Sequence, residues 1–314
     1  LILNISYLLM KTSLFKTALF VAIAASASIA SAQIKVSTGG ATGTYSAMFK
    51  QLQSSCSGVV TMTEVNSSGS NENVDRLVGN QVNAIFAQTD VLFYRARTED
   101  LKNVKTLLAL HPEEVHLVAP SVSKAKEGGV MGIGGKTLVI NTINDLSGRP
   151  VGAVGGSVTT AQVIRLQSEI NFTVVQFDNT KDLMAALVAG TVQAALMVGG
   201  SPMADIAALN SSFKLLSIPE AVQAKLKGVY RPARLSYGKM GASGVQTVAT
   251  DALFVTREYK TAKLIDQLAR FRTCAEQAIP EIKETTGTHP KWQAVDPANE
   301  GKWSYYVLPK VSAK

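Results

Sequence analysis

The sequence predicts an α/β chain folded as two lobes joined by two crossing segments. Three observations carry that prediction. Short β-branched apolar runs alternate with stretches of helical spacing, as expected of parallel strands linked by right-handed helical crossovers. The strand-like runs close on glycine- and hydroxyl-bearing turns, and ligands of open α/β sheets bind outside the carboxyl ends of the strands. Two long apolar stretches, residues 106–119 and 246–256, bracket the middle of the chain and read as the way out of one lobe and the way back. Lobe one is then 33–118 with 247–314, and lobe two is 119–246.

The first residues bear on compartment. Met10, Lys11, Thr12 and Lys16 form a positive region, residues 19–30 an apolar run, and Ala30-Ser31-Ala32 a small-residue cleavage site. Together they describe a secretory signal peptide over 1–32. The apolar run is shorter than the roughly 20 residues a membrane span needs. Residues 1–9 precede the better start at Met10 and are read as an over-extension of the reading frame. Taking 32 from 314 residues leaves 282, and losing Lys11 and Lys16 lowers the formal charge from +8 to +6. That length fits two lobes. The Lys and Arg residues are scattered rather than clustered with aromatics, so the excess charge reads as solvated surface and no nucleic-acid partner is expected. Cys56 and Cys274 are the two cysteines, and an exported chain permits a disulfide between them; two buried thiols are the alternative.

In order along the chain, Ile34-Lys35-Val36 reads as a strand. It enters the turn Ser37-Thr38-Gly39-Gly40-Ala41-Thr42-Gly43-Thr44-Tyr45-Ser46, which opens a helix. Glycines let a ligand approach such a backbone, and the helix start offers free N–H groups. The plain alternative is a helix capped by Thr42 or Thr44. Residues 59–65 are a second strand, ending in the turn Asn66-Ser67-Ser68-Gly69-Ser70, and residues 71–78 form a short amphipathic helix. Residues 82–87 are a buried strand ending in Gln88-Thr89-Asp90. The stretch 106–119 is extended but interrupted at His111-Pro112-Glu113-Glu114. Residues 124–136 are glycine-rich and are expected to form a loop or hairpin. They fit no phosphate loop, because Val130 stands where a glycine is required, and no G-x-G-x-x-G, because Thr137 does.

Lobe two repeats the logic. A strand at 149–154 ends in Gly155-Gly156-Ser157-Val158-Thr159-Thr160, which opens a helix to about residue 170. A strand at 174–177, a helix at 180–188 and a strand at 194–198 closed by Gly199-Gly200-Ser201-Pro202 follow. Residues 230–244 read as a loop, 260–278 as a long helix, and 288–314 as an irregular strap carrying Trp292, Trp303, Tyr305 and Tyr306.

No catalytic constellation is legible, and the reading is of a non-enzyme. His111, His116 and His289 stand apart, with no H-E-x-x-H or neighbouring cysteine pair, and Ser157 lacks the final glycine of G-x-S-x-G. His116, near the expected hinge, has some claim on the cleft. Asp90 reads as a cleft acid or, more simply, as the cap of the next helix. No metal or cofactor is expected. Two helix starts, 42–45 and 157–160, repeat the same neutral, N–H-bearing chemistry in the two lobes, and facing each other they would clamp a small carboxylate. Ordinary capping is the alternative. The expected ligand-binding set is Thr38, Gly40, Thr42, Gly43, Thr44, Tyr45, Ser68, Ser70, Gln88, Thr89, Gly156, Ser157, Thr159 and Gly200.

Thr38-Gly39-Gly40-Ala41-Thr42-Gly43-Thr44-Tyr45, the Leu77-Val78-Gly79-Asn80 helix end, Phe86-Ala87-Gln88-Thr89-Asp90, and 145–151 followed by Gly155-Gly156-Ser157 resemble the TAXI family. Its members are the extracytoplasmic solute receptors of tripartite ATP-independent periplasmic (TRAP) transporters. The resemblance covers residues 34 to about 257. It implies a type II periplasmic-binding-protein fold, a periplasmic location, and delivery of a small organic anion, a carboxylate or an amino acid such as glutamate, to inner-membrane TRAP permease subunits. A monomer is expected. A periplasmic sensor for a signalling partner, or a secreted enzyme on the same fold, remain as alternatives. The stretches 124–136 and 230–244 depart from the family pattern, which leaves the ligand open.

Overall fold

The computed structural model describes residues 33–123, 126–127 and 136–311. The expected signal peptide, and the glycines of the 124–136 stretch, lie outside the described residues. Among the described residues, no helix is long and apolar enough to cross a membrane.

The chain begins with β1 (Ile34–Ser37), α1 (Thr44–Ser55), β2 (Met62–Val65), α2 (Ser70–Val78), β3 (Ala84–Gln88) and α3 (Thr89–Arg95), and then enters the long strand β4 (Val104–Pro120). The short strands β5 (Lys126–Glu127) and β6 (Lys136–Thr137) pair antiparallel as a separate ribbon. After it come β7 (Pro150–Val154), α4 (Gly156–Ser168), β8 (Thr173–Phe177), α5 (Thr180–Ala189), β9 (Ala194–Gly199), α6 (Ala204–Ala207), β10 (Phe213–Leu215) and α7 (Glu220–Lys225). The chain closes with β11 (Arg231–Tyr237), β12 (Ala242–Arg257), α8 (Ala262–Glu284) and a 3-10 turn at Pro290–Ala294.

Among the described residues, the ten strands other than β5 and β6 form one sheet in the order β2-β1-β3-β12-β4-β9-β7-β8, with β10 added to β4 and β11 to β12. At each end three strands run parallel, β2-β1-β3 and β9-β7-β8. Between them β12 and β4 run antiparallel to each other and to their outer neighbours. The lower part of β4, Val104–Glu114, lies beside β12, and Glu114–Val118 lies beside β9. The middle of β4 is therefore where the sheet passes from one parallel group to the other. Pro112 sits there opposite Asp251, at a register shift, as a residue without an N–H requires.

The buried apolar side chains divide the same way. Two clusters draw on 34–110 and 252–308, and two draw on 115–248. Helix α1 shows the local cause: Tyr45, Met48, Phe49 and Leu52 fall at i, i+3, i+4 and i+7 and are all buried. Each such side chain contributes about 1.5–3 kcal/mol when fully withdrawn from water. Cys56, at the end of α1, is disulfide-bonded to Cys274 in α8 across a sequence separation of 218.

Three sequence expectations are corrected. The 106–119 stretch is not broken at His111–Glu114, because β4 runs through it and its pairing carries across the proline. Residues 230–244 are not a loop: β11 pairs with β12 over Arg231–Tyr237. The long helix reaches Glu284 rather than residue 278.

Candidate functional site

The carboxyl ends of β1, β2 and β3 are tied together by one side chain. Asn73 of α2 is fully buried and donates through Nδ2 to the carbonyls of Thr38 and Phe86 (the latter at 2.8 Å). Its Oδ1 accepts from the Ser37 and Ser67 hydroxyls at 2.7 and 2.6 Å. A buried amide satisfied on every side fixes three turns relative to one another. Opposite them stands the turn that links β7 to α4.

Between these turns is a cleft of about 140 Å³, lined by the turns before α1, α2 and α4 together with Gln88, Glu113, Val154, Val198, Gly199 and Met203. Three helices start on it, each behind a glycine: Gly43, Gly69 and Gly155. No side chain caps any of the three. The first intrahelical bond of α1 runs from Ala47 N–H to the Gly43 carbonyl, so the N–H groups of Thr44, Tyr45 and Ser46 have no acceptor within the helix. The Ser157 hydroxyl accepts from Val198 N–H at 3.0 Å, which leaves its own proton to donate. Ser70 and Gln88 bond each other twice: the Ser70 hydroxyl donates to the Gln88 side-chain oxygen and accepts from the Gln88 backbone N–H, both at 3.1 Å. Among the described residues of the lining there is no Lys, Arg or His.

The two walls touch. Asn71 donates to the Gly155 carbonyl at 2.9 Å and accepts from Thr159 at 3.0 Å. Asp90 is buried and accepts from both Thr160 and Tyr230 at 2.7 Å. Burial pushes the Asp90 carboxyl up, and these hydrogen bonds oppose the shift. Its other oxygen accepts from Val91 N–H, so Asp90 serves its own helix and the opposite wall.

Glu113 is 3 % exposed and accepts from the Tyr45 hydroxyl at 2.5 Å. Burial raises its carboxyl to about 8, despite the bond from Tyr45. Burial, then the neighbouring Glu113, likewise hold the Tyr45 phenol well above its usual range. Adjacent strand residues face opposite ways. Glu114 accordingly points away, pairing with Lys291 at 2.5 Å and accepting from Ser201 N–H at 2.9 Å.

Of the residues expected from sequence, Gly40, Gly43, Thr44, Tyr45, Ser68, Ser70, Gln88, Gly156 and Ser157 line the cleft. Five do not. Thr38 is buried and donates to Glu64 at 2.8 Å, Thr42 is exposed, and Thr89 donates to the Asp251 carbonyl at 3.0 Å. Thr159 is spent on Asn71, and Gly200 lies against His111 and Lys291, one residue beyond the lining glycine. His116 is also away from the cleft, bonded to Tyr237 and the Glu114 carbonyl. Gly39, Gly69, Glu113, Val154, Val198, Gly199 and Met203 also line it and lie outside the expected set; Glu113, Val154 and Val198 are strand residues, which carry no local mark of which cavity they meet. The one available signal was a pair of adjacent acids inside a largely apolar strand.

The sheet order and the cleft between two parallel groups define the periplasmic-binding-protein fold of the type II kind. Solved structures agree. An arginine-specific periplasmic binding protein from Salmonella typhimurium is similar at 12 % identity, with a TM-score of 0.51 over 84 % of this chain and 98 % of that one. An amino acid ABC transporter substrate-binding protein from Streptococcus pneumoniae, bound to L-arginine, is similar at 11 % identity and a TM-score of 0.50, over 83 % and 95 % of the two chains. A mutant of the T. maritima protein ArgBP gives 14 % identity and 0.50 over 80 % and 91 %. In sequence, residues 36–291 match the NMT1-like family, and the chain belongs to it. No curated protein matches the chain.

Proposed function

We propose that this protein is an extracytoplasmic solute-binding receptor, which captures a small organic acid in the cleft between two lobes and hands it to a membrane permease. One observation carries the reading: three uncapped helix starts converge on a single cleft that no lining cation neutralises. Helix N-termini hold partial positive charge and unpaired donors, so together they seat a carboxylate without a salt bridge. The lobes of this reading are 33–118 with 247–314, and 119–246. The TAXI-like motifs at 38–45 and 86–90 favour a TRAP-type permease and a periplasmic location behind a cleaved signal peptide. The arginine bound by structurally similar receptors supports a small solute of amino-acid size.

Thermal unfolding of the mature chain against a panel of small carboxylic and amino acids tests this. A captured solute stabilises by RT ln(1 + [L]/Kd), about 2.7 kcal/mol at a hundredfold excess over Kd. If no acid in the panel raises the midpoint, the receptor reading fails.

A further inference from the structure

Glu113 is the one carboxyl group among the described residues lining the cleft, and its surroundings leave it without a cation of its own. On α1, Tyr45 donates to it. On α3, Asp90 is a second acid whose field disfavours its ionisation, and on β4 Glu114 does the same. Lys291, on the 3-10 turn after α8, is the cation that acts on it, but the ammonium group of Lys291 is bonded to Glu114. The strand that carries Glu113 is buried on both faces, so ionising this acid carries a desolvation cost that the Tyr45 hydrogen bond offsets only in part. Tyr45 joins the two chemistries of the site. Its backbone N–H belongs to the uncapped first turn of α1, and its hydroxyl holds Glu113, so the anion seat and the acid are one side chain apart.

We infer that Glu113 is the residue that selects for a protonated amine, so that the cleft takes solutes bearing both a carboxylate and an ammonium group and discriminates against their des-amino counterparts. The inference rests on the cleft being the solute site. In the free protein near neutral pH the Glu113 carboxyl is held protonated, since burial raises it to about 8. When the ammonium group arrives, the carboxyl O–H bond breaks, its proton passes to the solvent, and a carboxylate–ammonium pair remains. The ammonium keeps all its protons. Each binding event below pH 8 therefore releases up to one proton, and the release fades as pH rises past that value.

Calorimetry on the mature protein tests this with matched probes, the L-amino acids each against its des-amino acid, such as L-glutamate against glutarate and L-leucine against 4-methylpentanoate. Titrations at pH 6.5 in buffers of different ionisation enthalpy count protons. Amino acids are expected to bind roughly tenfold or more tighter than their counterparts, as for a charged hydrogen bond, and to release close to one proton. Glu113→Gln keeps an acceptor for Tyr45. It is expected to bring each pair within about threefold and to abolish the release. Equal binding of both forms without proton release overturns the inference and leaves the receptor reading standing. So does discrimination that survives in Glu113→Gln. Absence of binding by either kind of acid overturns both.

Discussion

The two glycine-bearing turns that open α1 and α4 read alike in sequence and differ in the folded chain. At the first, Gly43 has an ordinary φ of −80°, and an added Cβ would meet only the Gly40 carbonyl, at 3.1 Å. At the second, Gly155 has φ +52°, and an added Cβ would fall 1.9 Å from the Ser68 carbonyl on the opposite wall. The first turn is open, its N–H groups presented to the cleft. The second is a contact, where glycine lets two backbones from different walls approach. Similar local chemistry thus only faces the cleft on one side and, on the other, also closes the two walls on each other, and the difference lies in what each turn meets.

Substitution separates these roles, and the largest effect is expected at the closure. Gly155→Ala must move the Ser68 backbone and strain its own φ, so denaturant unfolding should show a loss on the order of 3 kcal/mol or more. Gly43→Ala should stay within about 1 kcal/mol. Equal losses at the two sites would mean the turns do the same job.

The next effect concerns how each helix is held from behind. Helix α1 ends in a disulfide to α8, while α4 has no such tie among the described residues. Replacing Cys56 and Cys274 together by serine should cost about 2–5 kcal/mol of unfolding free energy. A double variant as stable as the parent would show that packing alone fixes α1.

A smaller effect is expected where α4 meets Asp90. Thr160→Val keeps the shape of the side chain and removes the donor 2.7 Å from Asp90, leaving Tyr230 as that oxygen's partner. A hydrogen bond to a charged group contributes about 1.5–3 kcal/mol, and the retained bond should hold the loss to the lower end. An unchanged melting midpoint would remove Asp90 from the account of closure.

Much of this architecture was legible because it is local. The alternation of strands and helices, the glycine before α1, and the amphipathic spacing of Tyr45, Met48, Phe49 and Leu52 are properties of residues near one another in the chain, and backbone sterics and burial of one face decide them. Nine lining residues were legible for the same reason, eight in glycine-bearing turns and Gln88 in a polar cluster at a strand end. Thr38, Thr89 and Thr159 share that composition, yet they are spent on Glu64, the Asp251 carbonyl and Asn71, and only distant partners decide this.

The sequence by itself therefore determined where the strands before α1, α2, α3 and α4 end and those helices begin, which cysteines were available to pair, and that the turns between them would be small and rich in donors. The tertiary structure alone decided which turns meet. It brought Asn73 under three strand ends, set Gly155 against Ser68, and turned one of two adjacent glutamates toward Tyr45 and the other toward Lys291. The physical reason is range. Backbone conformation and amphipathic spacing act over a few residues, whereas burial of a carboxyl and the charge it then keeps depend on side chains that meet only once the sheet has assembled.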